Sequence, residues 1–401
     1  MNLRTQEGEI SMNEKEMLYQ KRLERYMTAM DCGKPDMVPV AFGVGEWITK
    51  YTGTTLQEIY YDLDKSNNVV SEMLPGLDFD IFKGGPALWW PPMFDAMGSK
   101  LYKFPGMGVD ENSTFQFNEQ EYMKAEDYDE FIASPTEWLV NHYLPNISTE
   151  LENPGSYRST VALIKGAAAF AMQGGIMAAA WGKWTMENGI VGQGTGFTKA
   201  PFDTLGDALR GMKGVLLDLR RRPEKVLAAC DVITPHNVNC SLAGAGADTR
   251  FPCFAPLHRG AYPFLNPKQW DTFYWPSLKA TIEGMWAKGK RMLFYAEGDW
   301  TPYLEKIAEL PDKSIIFQID TTDAKKAKKI LGGRFCLQGG VPTTLLTYGT
   351  PEKVKEHIKR TFDELACDGG FILDTGGVVM GDAKKENAIA MIEAARRYGI
   401  Y

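Results

Sequence analysis

Two rhythms of apolar residues alternate along the second half of this chain. The run Leu293-Phe294-Tyr295-Ala296 stops abruptly at Glu297-Gly298-Asp299-Trp300. Ile282, Met285 and Trp286 before it, and Leu304, Ile307 and Leu310 after it, fall at the spacing of one helical face. A short strand between two amphipathic helices is the unit of a parallel α/β sheet. The same unit recurs in Ile315 to Ile319 ending at Asp320, followed by a helix over 322–331 with Ala324, Ala327 and Ile330 inward. Phe335-Cys336-Leu337 ends at Gln338-Gly339-Gly340. Thr350 and Pro351 then open a helix whose buried stripe is Val354, Ile358, Phe362 and Leu365. Phe371-Ile372-Leu373 ends at Asp374, and 387–398 is the closing helix.

Strand ends carrying Glu297, Asp320, Gln338 and Asp374 in succession are what a (β/α)8 TIM-type barrel requires at its mouth. Such a barrel needs about 250 residues, so a chain of 401 has room for an N-terminal extension and loop insertions. The expected organisation is a helical extension over 1–34 and the barrel over 35–401. An open doubly wound sheet is the alternative, and it lacks its glycine fingerprint here.

The first half is less regular. It predicts a helix over 14–30, strands at 38–42 and 79–82, and a helix over 55–74 between them. Trp89 and Trp90 sit in a stiff proline-rich segment, which reads equally as core packing or as an aromatic wall over a pocket. Residues 98–155 read as an inserted hairpin layer with helix, and 161–164 as a strand. Gly192-Gln193-Gly194-Thr195-Gly196 is expected to be a loop, because it has neither GxGxxG nor a Walker lysine.

Composition narrows the function. A net charge of -7 argues against a general nucleic-acid binder. Six dispersed cysteines without a CxxC pair fit reduced thiols in a cytoplasmic enzyme. The opening residues have no apolar core of the signal-peptide kind. The uncharged run from Gly166 to Gly182 is built from Gly and Ala around Gln173. It is too weakly hydrophobic to span a membrane and is expected to be a close-packed helix or loop.

Particular segments from about Pro201 onward carry a family likeness. They are Leu216 to Lys225, Asn266-Pro267-Lys268-Gln269-Trp270 through Trp275-Pro276, Glu297 to Pro302, Gly339-Gly340-Val341-Pro342, and Gly369 to Leu373 with the closing helix. Together they resemble the uroporphyrinogen decarboxylase superfamily, and more closely its corrinoid-dependent methyltransferase branch. The resemblance implies a distorted (β/α)8 barrel with one central mouth. It also implies, for the decarboxylases, an arginine-rich N-terminal segment that 40–47 lacks, and for the methyltransferases a zinc held by His-x-Cys and a later Cys. Here Tyr295 and Glu297 fall where His-x-Cys would, and Gly377 falls near the final cysteine.

The function expected from these residues is methyl transfer. The methyl group moves between a small methylated substrate (methoxy-aromatic or methylamine type) or a thiol and the cobalt of a separate corrinoid protein. No DxHxxG motif is present, so the corrinoid comes with the partner, docked on a rim that includes Gly339-Gly340. A substitute zinc site is expected from His258, Glu297 and Cys336, as N, O and S donors that zinc accepts. Glu297 and Tyr295 are the alternative acid and hydrogen-bond donor for the demethylated atom, with Asp320 and Asp374 in support. Trp89, Trp90 and Trp300 are expected to wall the substrate. Against these stand plainer structural roles: a loop-bonded His258, a packed Cys336 and acids that cap helices. A decarboxylase using Arg250, Arg259 or Lys83, or a catalytically silent binding protein, stays open, as does a homodimer.

Overall fold

The computed structural model describes residues 4–85, 89–243, 250–377 and 381–401, with side chains from Glu14 onward. Pro86 to Leu88 of the proline-rich segment and residues 244–249 lie outside the described residues. Two compact units are present. One comprises Met1–Leu88, Gly175–Gly194 and Leu304–Tyr401; the other comprises Trp89–Gly174 and Thr195–Tyr303.

The first unit holds six parallel strands. β1 (Ala41–Phe42), β2 (Ile81–Phe82) and β3 (Val191–Gly192) form one row. β6 (Ile315–Ile319), β7 (Cys336–Val341) and β8 (Phe371–Thr375) form another. A parallel bridge from Val40 to Leu373 joins the rows. The second unit holds β4 (Cys253–Leu257) and β5 (Met292–Ala296), again parallel. Among the described residues these eight strands, taken in chain order, alternate with helices as a (β/α)8 fold demands. β6 and β8 are buried at every residue, as strands covered on both faces must be.

The caps form as their residue types require. The Thr350 hydroxyl accepts from the Lys353 amide ahead of helix Pro351–Thr361. Thr55 and Glu58 make a capping box at helix Leu56–Tyr61. Pro351–Thr361 then packs against the closing helix Lys385–Tyr398. Residues 98–155 contain the small sheet Tyr102–Pro105, Gly108–Val109 and Gln116–Phe117 with short helices around it.

Three expectations fail. The stretch 161–164 is not a strand but part of the helix Tyr157–Asn188. Alanines carry that helix, against the cost of its glycines, through a segment whose β-branched residues alone suggest extension. The run Gly166 to Gly182 is not close-packed: only 11% of the helix's most apolar window is buried. Contrary to the expectation of too little hydrophobicity, the helix Tyr157–Asn188 is by length and composition long and apolar enough to cross a membrane. Gln338, Gly339 and Gly340 lie within β7, not past its end, because Phe371 to Thr375 continues to pair with it through Val341.

An ion-pair network ties the first helix into its unit. Asp80 is fully buried. It accepts from Arg25, from Arg396 Nη1 at 2.8 Å and from the Val40 amide at 2.8 Å. Arg25 also grips Asp36 at 2.7 and 2.8 Å. That hydrogen bond, outweighing burial, lowers Asp36 to about 2.

Candidate active site

The site is assembled in the second unit, where a short helix and two strand ends meet. Pro201 opens the helix Pro201–Thr204, which continues as a widened turn over Leu205–Leu209. Asp203 and Asp207 are four apart and therefore share a face. Along β4 burial alternates, with Phe254 and Pro256 partly accessible between buried Cys253, Ala255 and Leu257. Pro256 pairs in register with Tyr295 and Leu257 with Ala296. With a period of two, the next residues on the accessible face are His258 and Glu297, side by side.

Their side chains form one network. His258 Nε2 lies 2.8 Å from Asp207 Oδ2, and its Nδ1 lies 3.9 Å from Glu297 Oε2. Asp203 accepts from the Arg259 backbone N–H at 2.8 Å and from the Tyr274 hydroxyl at 2.6 Å. Arg259 Nε donates to Asp207 Oδ1 at 2.6 Å, and Lys199 donates to Asp207 Oδ2. Arg259 also reaches Glu119 at 3.0 Å. Two glycines make the approach of the loops possible. A Cβ on Gly260 would stand 2.5 Å from Tyr274, and Gly298 follows Glu297 at φ +85. The two loops then bond through the Tyr262 amide and the Asp299 carbonyl at 2.8 Å.

The electrostatics set the three buried or half-buried groups apart. Burial disfavours its imidazolium, but the hydrogen bond to Asp207 and the charges of Asp203 and Asp207 outweigh it and raise His258 above its ordinary value. Burial likewise opposes the Asp207 carboxylate, yet His258, Lys199 and Arg259 hold it well below the carboxylate range. Asp203 moves the other way: full burial raises it, and the Asp207 charge adds to that against the pull of His258. Two acids four residues apart thus take opposite protonation tendencies, one pinned ionised and one pushed toward neutrality. Glu297 is 48% exposed, so the second imidazole nitrogen faces the open side.

The other sequence-derived residues are distributed as follows. Tyr295 shares the accessible face of β5 with Glu297 and stacks on Phe254 at 6.1 Å. Trp89 packs on Tyr102 and Phe94. Burial raises the Tyr102 phenol, and the charge of Asp207 adds to it. Trp90 precedes the short helix Pro91–Ala96. Trp300 is not a substrate wall: it is fully buried against Phe294, Tyr274 and Tyr303. Its indole N–H donates to the Glu297 carbonyl at 3.0 Å, so it positions that residue. Asp320 and Asp374 belong to the first unit. Asp320 follows β6, and Asp374 is buried within β8, where it bonds Lys83 Nζ and Gln338 Nε2, each at 2.7 Å. Asp203, Asp207 and Lys199 are missed by the sequence reading, although Pro201-Phe202-Asp203 with a second acid four residues on is a detectable signal.

Zinc is tested by the donors present. Of the expected set, His258 and Glu297 come together, but Cys336 opens β7 in the other unit and is buried. The Phe371 pairing that draws Leu337 and Gln338 into the sheet fixes it at the start of the strand, whereas His258 and Glu297 follow theirs. A catalytic zinc takes three protein ligands. Among the described residues, the one group with ligand atoms within 4.8 Å of one another is Asp203, Asp207 and His258. All four of its carboxylate oxygens already accept from Arg259, Tyr274, Lys199 or His258, and a dication would sit against two permanent cations. These residues do not fit zinc.

Comparisons with known proteins follow the same lines. The sequence profile described as Uroporphyrinogen decarboxylase (URO-D) matches residues 193–398, just over half of the chain, including the network residues from Lys199 to Glu297. Uroporphyrinogen decarboxylases of Chlorobium luteolum and Chlorobium phaeovibrioides are 38% and 36% identical over 74 residues, 18% of this chain. The match spans about a fifth, 21%, of the length of those relatives. A solved methyltransferase from Methanosarcina mazei superposes with a TM-score of 0.63 at 16% identity, covering 93% of this chain and 98% of that one. That likeness concerns the fold. The chain belongs to the uroporphyrinogen decarboxylase family, and its fold is the (β/α)8 barrel of that family.

Proposed function

We propose that this protein is a methyltransferase that demethylates a small methoxy-aromatic or methylamine-type compound and delivers the methyl group to a corrinoid carried by a separate protein. The single observation that carries the reading is His258, held by buried Asp207 on one nitrogen and turned toward half-exposed Glu297 with the other. Breaking a CH3–O or CH3–N bond leaves the electron pair on the heteroatom, which needs a proton. The cobalt supplies the nucleophile that takes the methyl group. His258 supplies the proton from Nδ1, as a general acid in hydrogen-bond reach of the leaving atom. Asp207 remains ionised and holds the ring in place. Glu297 recharges Nδ1 from solvent. The aromatic group of Trp89 and Tyr102 offers the flat apolar surface that a methylated ring or ammonium favours.

Decarboxylation is the weaker reading for a specific reason. A carboxylated substrate needs cations to spare, and Lys83 and Arg259 are already paired with Asp374, Asp207 and Glu119.

The test mixes the protein with cob(I)alamin and a panel of methoxy-aromatic and methylamine donors. The expected result is donor-dependent conversion to the methyl-cobalt spectrum with stoichiometric demethylated product. Absence of conversion with every donor, together with carbon dioxide release from a carboxylated substrate, would replace this reading with decarboxylation.

A further inference from the structure

A row of three aromatic rings lies on the strand face that carries His258. Phe197 is joined to Phe254 by a parallel bridge, and Pro256 pairs with Tyr295. Alternation puts Phe254, Pro256 and His258 on one side of β4, with Tyr295 and Glu297 beside them on β5. The rings follow one another across the strands: the centroids of Phe197 and Phe254 are 6.2 Å apart, and those of Phe254 and Tyr295 6.1 Å. This row is open to solvent. Phe197 is 46% exposed, and Phe254 and Tyr295 are half-buried between buried neighbours. A single accessible ring needs no explanation, but three in a row beside a cluster of titratable groups mark a binding surface.

We propose that the aromatic ring of the substrate packs against Phe197, Phe254 and Tyr295, so that the methyl donor is a neutral aryl methyl ether and not a methylated ammonium. The inference rests on the methyl-transfer reading above and narrows it. Ring orientation makes the choice. Phe254 and Tyr295 are inclined to each other by only 23°, so a flat ring that aligns with one aligns with the other. An ammonium is held instead by rings that meet steeply around it as a cage. The buried acids of the site are also closed to a cation, because Asp203 and Asp207 already accept from Arg259, Tyr274, Lys199 and His258. Two residues of strand, about 6–7 Å, separate the level of Tyr295 from that of Glu297 and His258. That is within the length of one methoxy-substituted ring, so a ring packed on this row brings its ether oxygen toward the imidazole.

Calorimetric titration of the full chain, without corrinoid, tests this with methoxybenzene, methoxycyclohexane and tetramethylammonium chloride. Methoxybenzene is expected to bind saturably and about three- to tenfold more tightly than methoxycyclohexane, the measure of stacking beyond apolar burial. Phe197→Leu and Phe254→Leu should each weaken it by a similar factor, since leucine keeps the apolar bulk and loses the ring face. The proposal is overturned if the natural chain does not bind methoxybenzene saturably, binds the two ethers equally, or prefers tetramethylammonium, and equally if both variants keep the natural affinity. The first three results are read on the natural chain, so a variant that misfolds does not blunt the test. Ring binding in a sample that transfers no methyl group to cob(I)alamin would keep this surface and remove the methyl-transfer reading.

Discussion

Replacing His258 with alanine lowers kcat/KM for demethylation by about 10²–10⁴, the range of a positioned general acid. The fold should survive, because Asp207 keeps Lys199 and Arg259 when the imidazole is removed. Steady-state kinetics on a variant with an unchanged circular dichroism spectrum would check this, and a variant retaining half the natural rate would refute it. The same network sets a pH dependence of stability. His258 has a folded pKa above its ordinary 6.5, so its contribution is complete below 6.5 and disappears as pH rises through the folded value. Asp207 has a folded pKa below its ordinary 3.8, so its contribution is present above 3.8 and disappears as pH falls toward the folded value. The His258–Asp207 pair is therefore most stabilising between these two ordinary values, whereas Asp203, raised by burial, contributes below its ordinary 3.8 and loses that contribution as pH rises through its folded value.

Asp80→Ala is expected to destabilise the protein by about 3–5 kcal/mol, the usual cost of breaking a buried ion pair by removing one partner. The reason is geometric. Arg25 and Arg396 both close on this carboxylate, and Arg22 stands at 3.6 Å. Arg22 and Arg25 are each 6% exposed, so the charges left behind cannot turn to water. Urea unfolding measures the loss, and a change under about 1 kcal/mol, the level of an exposed pair, would contradict it.

The C-terminal half was legible because its strands and helices are local objects. Ile315 to Ile319 is a strand with the residues its apolar run indicates, and the Thr350 and Pro351 start is set by capping chemistry. The strands at 41–42 and 81–82 are only two residues long, too short for periodicity to delimit. The helix Tyr157–Asn188 deceived in another way, since Val161 to Ile164 has strand-like residues inside a frame of alanines whose helix propensity carries the segment. His258 and Glu297 could be picked out because strand ends concentrate chemistry. Asp203 and Asp207 were passed over although their four-residue spacing is visible, because their partners Tyr274 and His258 lie 71 and 51 residues away along the chain. Trp300 shows the converse: an aromatic after a strand end looks like a pocket wall, yet its indole is core.

The central claim is that Asp207 tunes His258 as the proton donor. The pH profile of kcat/KM in Asp207→Asn measures this directly. Natural protein should lose activity as pH rises through a value above 6.5, and the variant should lose it at a distinctly lower pH, because the carboxylate that raises the imidazole is gone. An unshifted profile in a folded, active Asp207→Asn protein would mean that another group supplies the proton.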